Sequence, residues 1–238
     1  LAGFADKIAV SFPESRRYFP KGKTVYTGCP VRKELLSVDR DAALRRFGFQ
    51  DDKFTVLVLG GSKGSHSLNE KFIEALRDFP QKERLRIIHL CGDTDYQRVS
   101  KAYQEIGVSH LVLAFLKGIG YAYKLADLVV SRAGASAIAE LASFGLPAIL
   151  VPYPFAGGHQ YFNARVLTKA GAAIMVEDKA LSGAALKQNI LGLMDDRQRL
   201  KEMGRKSLSC AAPEAVEDLA AQLIQLAGGK CVSRKFGG

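Results

Sequence analysis

Glu140 is the polar residue whose surroundings carry the most chemical information. It belongs to a predicted helix that starts after a short apolar strand and the small residues Gly134 and Ala135. Small residues let a ligand approach the backbone, and the unpaired N–H groups of a helix start attract anions. Glu140 shares one helical face with Ser136 and Ser143. Such a face usually meets water, so Glu140 is either an ordinary exposed residue or a residue that contacts a ligand bound at this helix start.

Three other stretches carry groups that suit a phosphate or a sugar. The glycine-rich turn Gly60–Ser65 offers backbone N–H groups and the Ser62 hydroxyl at a predicted helix start, which suits one phosphate. Arg32 is either an ordinary exposed base or, at a domain cleft, a bidentate donor to a diphosphate. His159 and Gln160 either form a polar helix start or hydrogen-bond the hydroxyls of a sugar.

A regular alternation of apolar strands and amphipathic helices has to position these residues. Six strands are predicted, over Phe54–Leu59, Leu85–Leu90, Leu111–Phe115, Leu128–Val130, Pro147–Val151 and Ala172–Val176. Helices are predicted near 39–47, 68–76, 95–106, 119–126, 135–145, 159–170, 186–194, 197–208 and 214–226. The alternation predicts an α/β fold with a doubly wound parallel sheet, whose ligand lies beyond the carboxyl ends of the strands.

This topology gathers the candidate groups at one rim of the sheet. The rim segments are Gly60–Ser65, Phe115–Ile119, Ser131–Ser136 and Pro152–Gln160. The first of them matches neither G-x-G-x-x-G nor the spacing of a P-loop, which argues against a nicotinamide or ATP enzyme.

Composition narrows the class of protein further. The formal net charge of +10 favours phosphates or anionic lipid headgroups without distinguishing them. The basic residues are scattered and Trp is absent, which argues against a nucleic-acid partner. No apolar run approaches the roughly 18 residues of a spanning helix, so any membrane contact is expected to be peripheral. The four cysteines form no C-x-x-C pair, which argues against zinc and favours a reducing cytosol.

Five motifs then carry a family resemblance. They are Thr27–Arg32, Leu59–Gly64, Ser131–Ser136 with Glu140, Gly145–Pro147, and His159–Gln160 with Asn163–Ala164. In this order they resemble the MurG family of bacterial N-acetylglucosaminyltransferases, over nearly the whole chain from about residue 5 to 226. The resemblance implies a GT-B glycosyltransferase whose Rossmann-like C-terminal domain holds the UDP-sugar, and inverting transfer without a metal or another cofactor.

The resemblance also implies a substrate pair and a location. The donor would be UDP-N-acetylglucosamine, and the acceptor would be lipid I, which is linked to undecaprenyl diphosphate. The product would be lipid II, for peptidoglycan synthesis. The enzyme would associate peripherally with the anionic membrane, at its cytoplasmic face.

Ten residues are predicted from the resemblance to bind UDP-N-acetylglucosamine: Arg32, Gly61, Ser62, Leu116, Ala135, Ser136, Glu140, His159, Gln160 and Asn163. Glu140 would accept hydrogen bonds from the ribose hydroxyls, and Leu116 would lie against the uracil. Ser62 and Arg32 would hold the diphosphate, with the helix start at Ala135 adding its dipole.

The sugar end has its own predicted contacts. Gln160, with His159 beside it, would bind the hydroxyls of N-acetylglucosamine, and Asn163 would brace that loop. No residue can be assigned as the general base.

Three residues depart from the family pattern, namely Cys29, Lys63 and Ser65, which stand where Asn, Gln and Ala are usual. Lys63 either adds a cation near the phosphates or lies in solvent.

The resemblance also sets the expected domain organisation. We expect residues 1–31 to be a linker and the remnant of an N-terminal acceptor domain, residues 32–227 to bind the donor, and residues 228–238 to be a flexible tail. Because the chain opens on Leu1 without an initiator Met, we expect the natural N-terminus to precede it. Such a chain should bind the UDP-sugar but turn it over poorly. The alternatives are a separate nucleotide-sugar-binding subunit that needs a membrane partner chain, another UDP-sugar lipid glycosyltransferase, or a UDP-sugar epimerase.

Overall fold

The computed structural model describes residues 2–155 and 158–228, which form two compact units. One unit combines residues 2–31 with 212–228, and the other runs from Arg32 to Ala211. The chain thus divides after Val31 and again after Ala211. The roles expected for residues 1–31 and 32–227 stay predictions. Of the tail predicted over 228–238, all but Gly228 lies outside the described residues.

The first unit contains two short parallel strands, β1 (Ile8–Val10) and β2 (Thr24–Tyr26), in the register Ile8 opposite Thr24. A 3₁₀ helix over Pro13–Tyr18 connects them. The unit ends with the last helix of the chain, α10 (Ala215–Leu226). Gly28 explains why residues 212–228 belong here: a Cβ at this position would lie 2.4 Å from the Cβ of Ala212.

The second unit is built on a six-stranded parallel sheet, which confirms the predicted fold class. Its strands are β3 (Phe54–Leu59), β4 (Leu85–Leu90), β5 (Ser109–Leu113), β6 (Leu128–Ser131), β7 (Ala148–Leu150) and β8 (Ala173–Met175). Their spatial order is β5-β4-β3-β6-β7-β8. This is the order of a Rossmann sheet, in which the strand order reverses between β3 and β6 and leaves a crevice there.

Helices cover both faces of the sheet, as parallel strands require. They are α1 (Lys33–Leu36), α2 (Arg40–Phe47), α3 (His66–Arg77), α4 (Tyr96–Ile106), α5 (Gly120–Leu125), α6 (Ala135–Phe144), α7 (His159–Ala170), α8 (Gly183–Met194) and α9 (Arg197–Leu208). Every residue of β3 and β4 is buried, and α3 packs Leu68, Phe72 and Leu76 into the same core.

Local chemistry sets several helix limits. The Asp39 carboxylate accepts a hydrogen bond of 2.6 Å from the Ala42 N–H at the start of α2, where it caps an otherwise unpaired donor. Gly145 follows α6 with φ of 63°, a conformation that glycine adopts without strain. The predicted helix included Gly145, whereas Gly145 ends it.

One strand prediction was wrong by two residues. The apolar run Leu111–Phe115 was expected to be a strand, but β5 pairs Ser109–Leu113 with β4 and stops before Phe115. Phe115 is 69% exposed, because the chain has already turned away from the sheet.

Four short helical segments were not predicted: α1 and the 3₁₀ turns over Pro13–Tyr18, Lys82–Arg84 and Asp178–Ala180.

Candidate functional site

A cleft of about 1100 Å³ opens at the carboxyl ends of the strands, within the second unit. All four rim segments predicted from the topology contribute to its lining, although residues 156–157 of the last one lie outside the described residues. Eight of the ten predicted contacts line it: Arg32, Gly61, Ser62, Leu116, Ala135, Ser136, Glu140 and Gln160. His159 and Asn163 do not. The cleft lies where the strand order reverses, which is the usual ligand position in such a sheet.

The glycine-rich turn after β3 is held in place by contact with the end of β4. A Cβ on Gly64 would lie 2.1 Å from the carbonyl oxygen of Cys91, so only glycine fits there. Gly61, by contrast, has open space around it and lines the cleft with Ser62. The turn is therefore anchored on its inner side, while its outer side and the start of α3 are available to an anion.

Arg132 joins the segments around the cleft, a role that the sequence did not predict. Its buried guanidinium donates hydrogen bonds to the hydroxyls of Ser65 and Ser67, at 3.0 and 2.7 Å. It also donates to the carbonyl of Val151 at 3.2 Å and pairs with the Asp178 carboxylate at 2.5 Å. Because one side chain contacts the turn, the end of β7 and the segment after β8, it fixes their relative positions.

The wall formed by α5 and α6 carries a tyrosine–carboxylate pair. The hydroxyl of Tyr123 donates a hydrogen bond of 2.7 Å to Oε2 of Glu140. Tyr123 is 1% exposed, and its ring packs against Phe144 with centroids 5.1 Å apart. Burial, followed by the neighbouring Glu140 carboxylate, raises the pKa of Tyr123 well above its ordinary value. Glu140 is half-buried and lines the cleft, so its carboxylate is not a simple solvent-exposed group.

The opposite wall is held by two amides of α7. Oε1 of Gln160 accepts hydrogen bonds from the N–H groups of Ala133 and Tyr153, both at 3.0 Å. Nδ2 of Asn163 donates to the carbonyl of Ala133 at 3.0 Å. Asn163 therefore braces the loop before α6, and His159 is exposed outside the cleft.

A second polar network lies deeper, between β4, α3 and α4. The buried imidazole of His89 contacts the Tyr103 hydroxyl at 2.8 Å and Oδ1 of Asn69 at 3.0 Å. Asn69 donates in turn to Asp95 at 2.7 Å, and Asp95 contacts His66 at the edge of the cleft at 2.9 Å.

Burial sets the protonation of this network. It lowers the pKa of His89 to about 3, so the imidazole is neutral at pH 7. Burial also raises the pKa of Asp95, but hydrogen bonds from His66, Asn69 and Arg98 outweigh it, and the pKa lies below its usual range. Burial raises the pKa of the Cys91 thiol to about 11, which leaves it protonated and unreactive.

The described residues contain neither a group of side chains arranged as a metal site nor a helix suited to span a membrane. Within residues 2–155 and 158–228, no group of three or more His, Cys, Asp or Glu side chains is arranged to hold a metal ion. In the same residues, no helix combines the length and the apolar content needed to cross a bilayer.

Comparison with known proteins places this cleft in a family. The sequence model of the glycosyltransferase family 28 C-terminal domain matches residues 55–223. The chain belongs to this family. All of the cleft-lining segments except the one at Arg32 fall within the family 28 match.

Individual relatives of this family 28 chain extend the comparison. It is 39% identical over 227 residues to the UDP-N-acetylglucosamine--N-acetylmuramyl-(pentapeptide) pyrophosphoryl-undecaprenol N-acetylglucosamine transferase of Desulforamulus reducens, covering 92% of this chain and 61% of the relative. It is 42% identical over 226 residues to the protein of the same name in Geobacter sulfurreducens, covering 94% and 62%. The chain thus spans about three fifths of the relatives it matches.

A solved structure also supports membership of this family. Crystalline MurG of Acinetobacter baumannii superposes with a TM-score of 0.74 at 31% identity, covering 94% of this chain and 62% of that one. The resemblance inferred from the five motifs is confirmed.

Two residues of the family 28 site were missed by sequence reasoning. Arg132 stood inside a quoted motif, but its partners come from segments up to 67 residues away. Tyr123 carried no motif at all, and its only signal was a tyrosine in a short helix that begins directly after the rim segment Phe115–Ile119.

Proposed function

We propose that this chain is the donor-binding part of an inverting glycosyltransferase that moves N-acetylglucosamine from UDP-N-acetylglucosamine to lipid I. The main support for this proposal is that eight of the ten predicted contact residues line one cleft, at the point where the strand order of the sheet reverses. The names of the relatives, which specify this sugar and an undecaprenyl-linked acceptor, support the choice of substrates. The product would be lipid II, a precursor of peptidoglycan.

In the proposed complex the nucleoside lies on the α5–α6 wall. Glu140 accepts hydrogen bonds from the ribose hydroxyls, because a carboxylate offers only acceptors and a vicinal diol offers two donors. Leu116, which follows β5, lies against the uracil. Both residues line the same cleft.

The diphosphate lies between the two helix starts that face the cleft. Ser62 and the backbone N–H of Gly61 bind it from the turn, the start of α6 at Ala135 and Ser136 binds it from the other side, and Arg32 adds a cation. During transfer an acceptor oxygen bonds to the anomeric carbon while the bond from that carbon to the diphosphate breaks. The departing UDP gains negative charge, which the arginine and the N–H groups stabilise without a metal.

The N-acetylglucosamine lies toward α7. The carbonyl of Gln160 is already occupied by two backbone N–H groups, so its remaining NH₂ is the group that faces a sugar hydroxyl. Asn163 acts from behind this position by supporting the loop at Ala133, whereas His159 is exposed outside the cleft.

Isothermal titration of the chain with UDP and with UDP-N-acetylglucosamine tests the proposal. We expect both to bind and Glu140→Ala to weaken UDP binding by at least tenfold, about 1.4 kcal/mol. Glu105→Ala is the matched control, because Glu105 is an exposed glutamate of α4 away from the cleft. Absence of UDP binding would refute the proposed donor, and an unaffected Glu140→Ala variant would refute the ribose assignment.

We also propose peripheral association with the anionic cytoplasmic face of the bacterial membrane, where an undecaprenyl-linked acceptor resides. The net charge of +10 supports it. We expect cosedimentation with vesicles containing an anionic phospholipid, weakened by salt, and little with neutral vesicles. Equal binding to both vesicle types would contradict an electrostatic association.

A further inference from the structure

Tyr123 and Glu140 meet at the wall of the cleft in a way that the proposed function does not itself require. Glutamate on a helix has several rotatable bonds, and at a half-buried position its carboxylate can take many orientations. Here the Tyr123 hydroxyl holds Oε2 at 2.7 Å. Tyr123 itself cannot move far, because it is 1% exposed and its ring packs against Phe144. The carboxylate is therefore fixed by a rigid partner.

The direction of this hydrogen bond is also fixed. The carboxylate only accepts, so the phenol must donate, and its raised pKa keeps the proton on the phenol across the physiological range. Among the described residues, Oε1 of Glu140 has no hydrogen-bond partner recorded in the structure. Tyr123 thus occupies one oxygen of the carboxylate, and the other can still accept hydrogen bonds at the cleft that Glu140 lines.

From this arrangement, and resting on the proposed function, we infer that Tyr123 is a positioning residue that makes the donor site selective for a ribonucleotide over its 2′-deoxy analogue. A free carboxylate could rotate toward a single remaining hydroxyl or toward water. A carboxylate held by Tyr123 is set to accept from a pair of adjacent hydroxyls, and a deoxyribose leaves one of these hydrogen bonds unmade.

The test compares the binding of UDP and 2′-deoxy-UDP, measured by isothermal titration. We expect the unmodified chain to prefer UDP by about tenfold, which equals about 1.4 kcal/mol. Tyr123→Phe keeps the ring and removes the donor, so the preference should fall to about threefold or less, mainly through weaker binding of UDP. In a Glu140→Ala background the same change should have no effect on either nucleotide, because the carboxylate it positions is absent.

Tyr103→Phe is the matched control. Tyr103 is also fully buried and also uses its hydroxyl to contact a side chain, His89 at 2.8 Å, but it lies away from the cleft. It should lower the melting temperature about as much as Tyr123→Phe and leave the UDP preference unchanged. A merely structural role for Tyr123 would make the two variants behave alike.

A second variant leaves Tyr123 untouched in case its replacement disturbs folding. In Glu140→Gln the amide has one acceptor oxygen, which the Tyr123 hydroxyl should capture, and this turns the NH₂ group toward the ribose. The preference for UDP should then fall to threefold or less.

The outcomes separate the two claims. If Tyr123→Phe or Glu140→Gln keeps the tenfold preference while Glu140→Ala removes it, Tyr123 does not position the carboxylate, and only this inference fails. If the unmodified chain binds UDP but does not distinguish it from the 2′-deoxy analogue, the selectivity is refuted while the donor assignment stands. If the unmodified chain does not bind UDP, the proposed function itself fails.

Discussion

Two buried polar regions of the second unit use the same kinds of groups for different purposes. In the interior, between β4, α3 and α4, Tyr103, His89 and Asn69 contact one another and are fully enclosed. At the wall of the cleft, Tyr123 meets a carboxylate that also faces the open space. In the interior, both ring nitrogens of His89 have partners. At the cleft wall, Tyr123 occupies only one oxygen of the Glu140 carboxylate and leaves the other available as an acceptor. Burial alone therefore does not separate a structural tyrosine from a functional one. What separates them is whether the hydrogen-bond partner lies in the interior or at the cleft.

The largest expected effect tests the interior region through acid pH. Burial holds the pKa of His89 near 3, whereas an unfolded histidine titrates near 6.5. As pH falls from 6.5 toward 3 the unfolded chain takes up a proton that the folded chain does not, so stability is full above pH 6.5 and falls by about 4–5 kcal/mol across this range. The lowered pKa of Asp95 acts in the same direction. Urea unfolding at a series of pH values measures the slope.

His89→Gln is the control for that slope. Glutamine can still hydrogen-bond Asn69 and Tyr103 but does not titrate, so the fall in stability between pH 6.5 and 3 should become much shallower. UDP affinity at pH 7 should not change. An unaltered slope would mean that other groups cause the acid sensitivity.

The next effect compares two buried arginines of the second unit, one at the cleft and one away from it. Arg132→Met removes the hydrogen bonds to Ser65 and Ser67 and leaves Asp178 unpaired, so we expect a loss of about 3 kcal/mol in stability and at least tenfold in UDP affinity. Arg86→Met removes a buried guanidinium that pairs with Asp52 at 2.7 Å and lies over the Phe49 ring, away from the cleft. It should lower stability but not affinity.

Denaturant unfolding and UDP titration of both variants decide the comparison. Equal losses of affinity would show that Arg132 acts only by stabilising the fold. No loss of affinity in Arg132→Met would remove it from the site altogether.

The smallest effect concerns Lys63, an exposed residue of the glycine-rich turn that lines the cleft. If its ammonium lies near the diphosphate, Lys63→Gln should weaken UDP binding two- to threefold at low salt, about 0.5 kcal/mol, and make binding less sensitive to salt. Lys101→Gln, on the exposed face of α4, should change neither quantity. Identical behaviour of the two variants would place Lys63 in solvent, the alternative that the sequence left open.

Much of the fold followed from local sequence patterns. The bounds of β3, β4, α7 and α9 agree with the predicted ones, because each begins and ends where the apolar spacing does. The shift of β5 arose because an apolar residue, Phe115, lies in the loop at the cleft rather than in the strand. Apolar character alone does not separate a strand from a ligand-facing loop.

The site could be predicted only in part. The rim segments followed from topology, and eight of the ten proposed contacts meet there. The partners of Tyr123 and Arg132 are set by packing between segments 17 to 67 residues apart in the chain, which spacing along one helix or strand does not encode. The grouping of residues 212–228 with 2–31 is of the same kind, since a helical pattern predicts α10 but not the surface against which it packs.

The two ends of the Gln160 amide have different roles: the oxygen joins two loops, and the NH₂ group remains as a donor. The Gln160 oxygen accepts hydrogen bonds from the Ala133 and Tyr153 amides. Gln160→Glu would keep these two hydrogen bonds between the loops but lose the NH₂ donor, and Gln160→Met would lose both. A carboxamide of this length is thus needed for both tasks, and in the proposed complex the amide that joins the two loops is also the group that contacts the sugar.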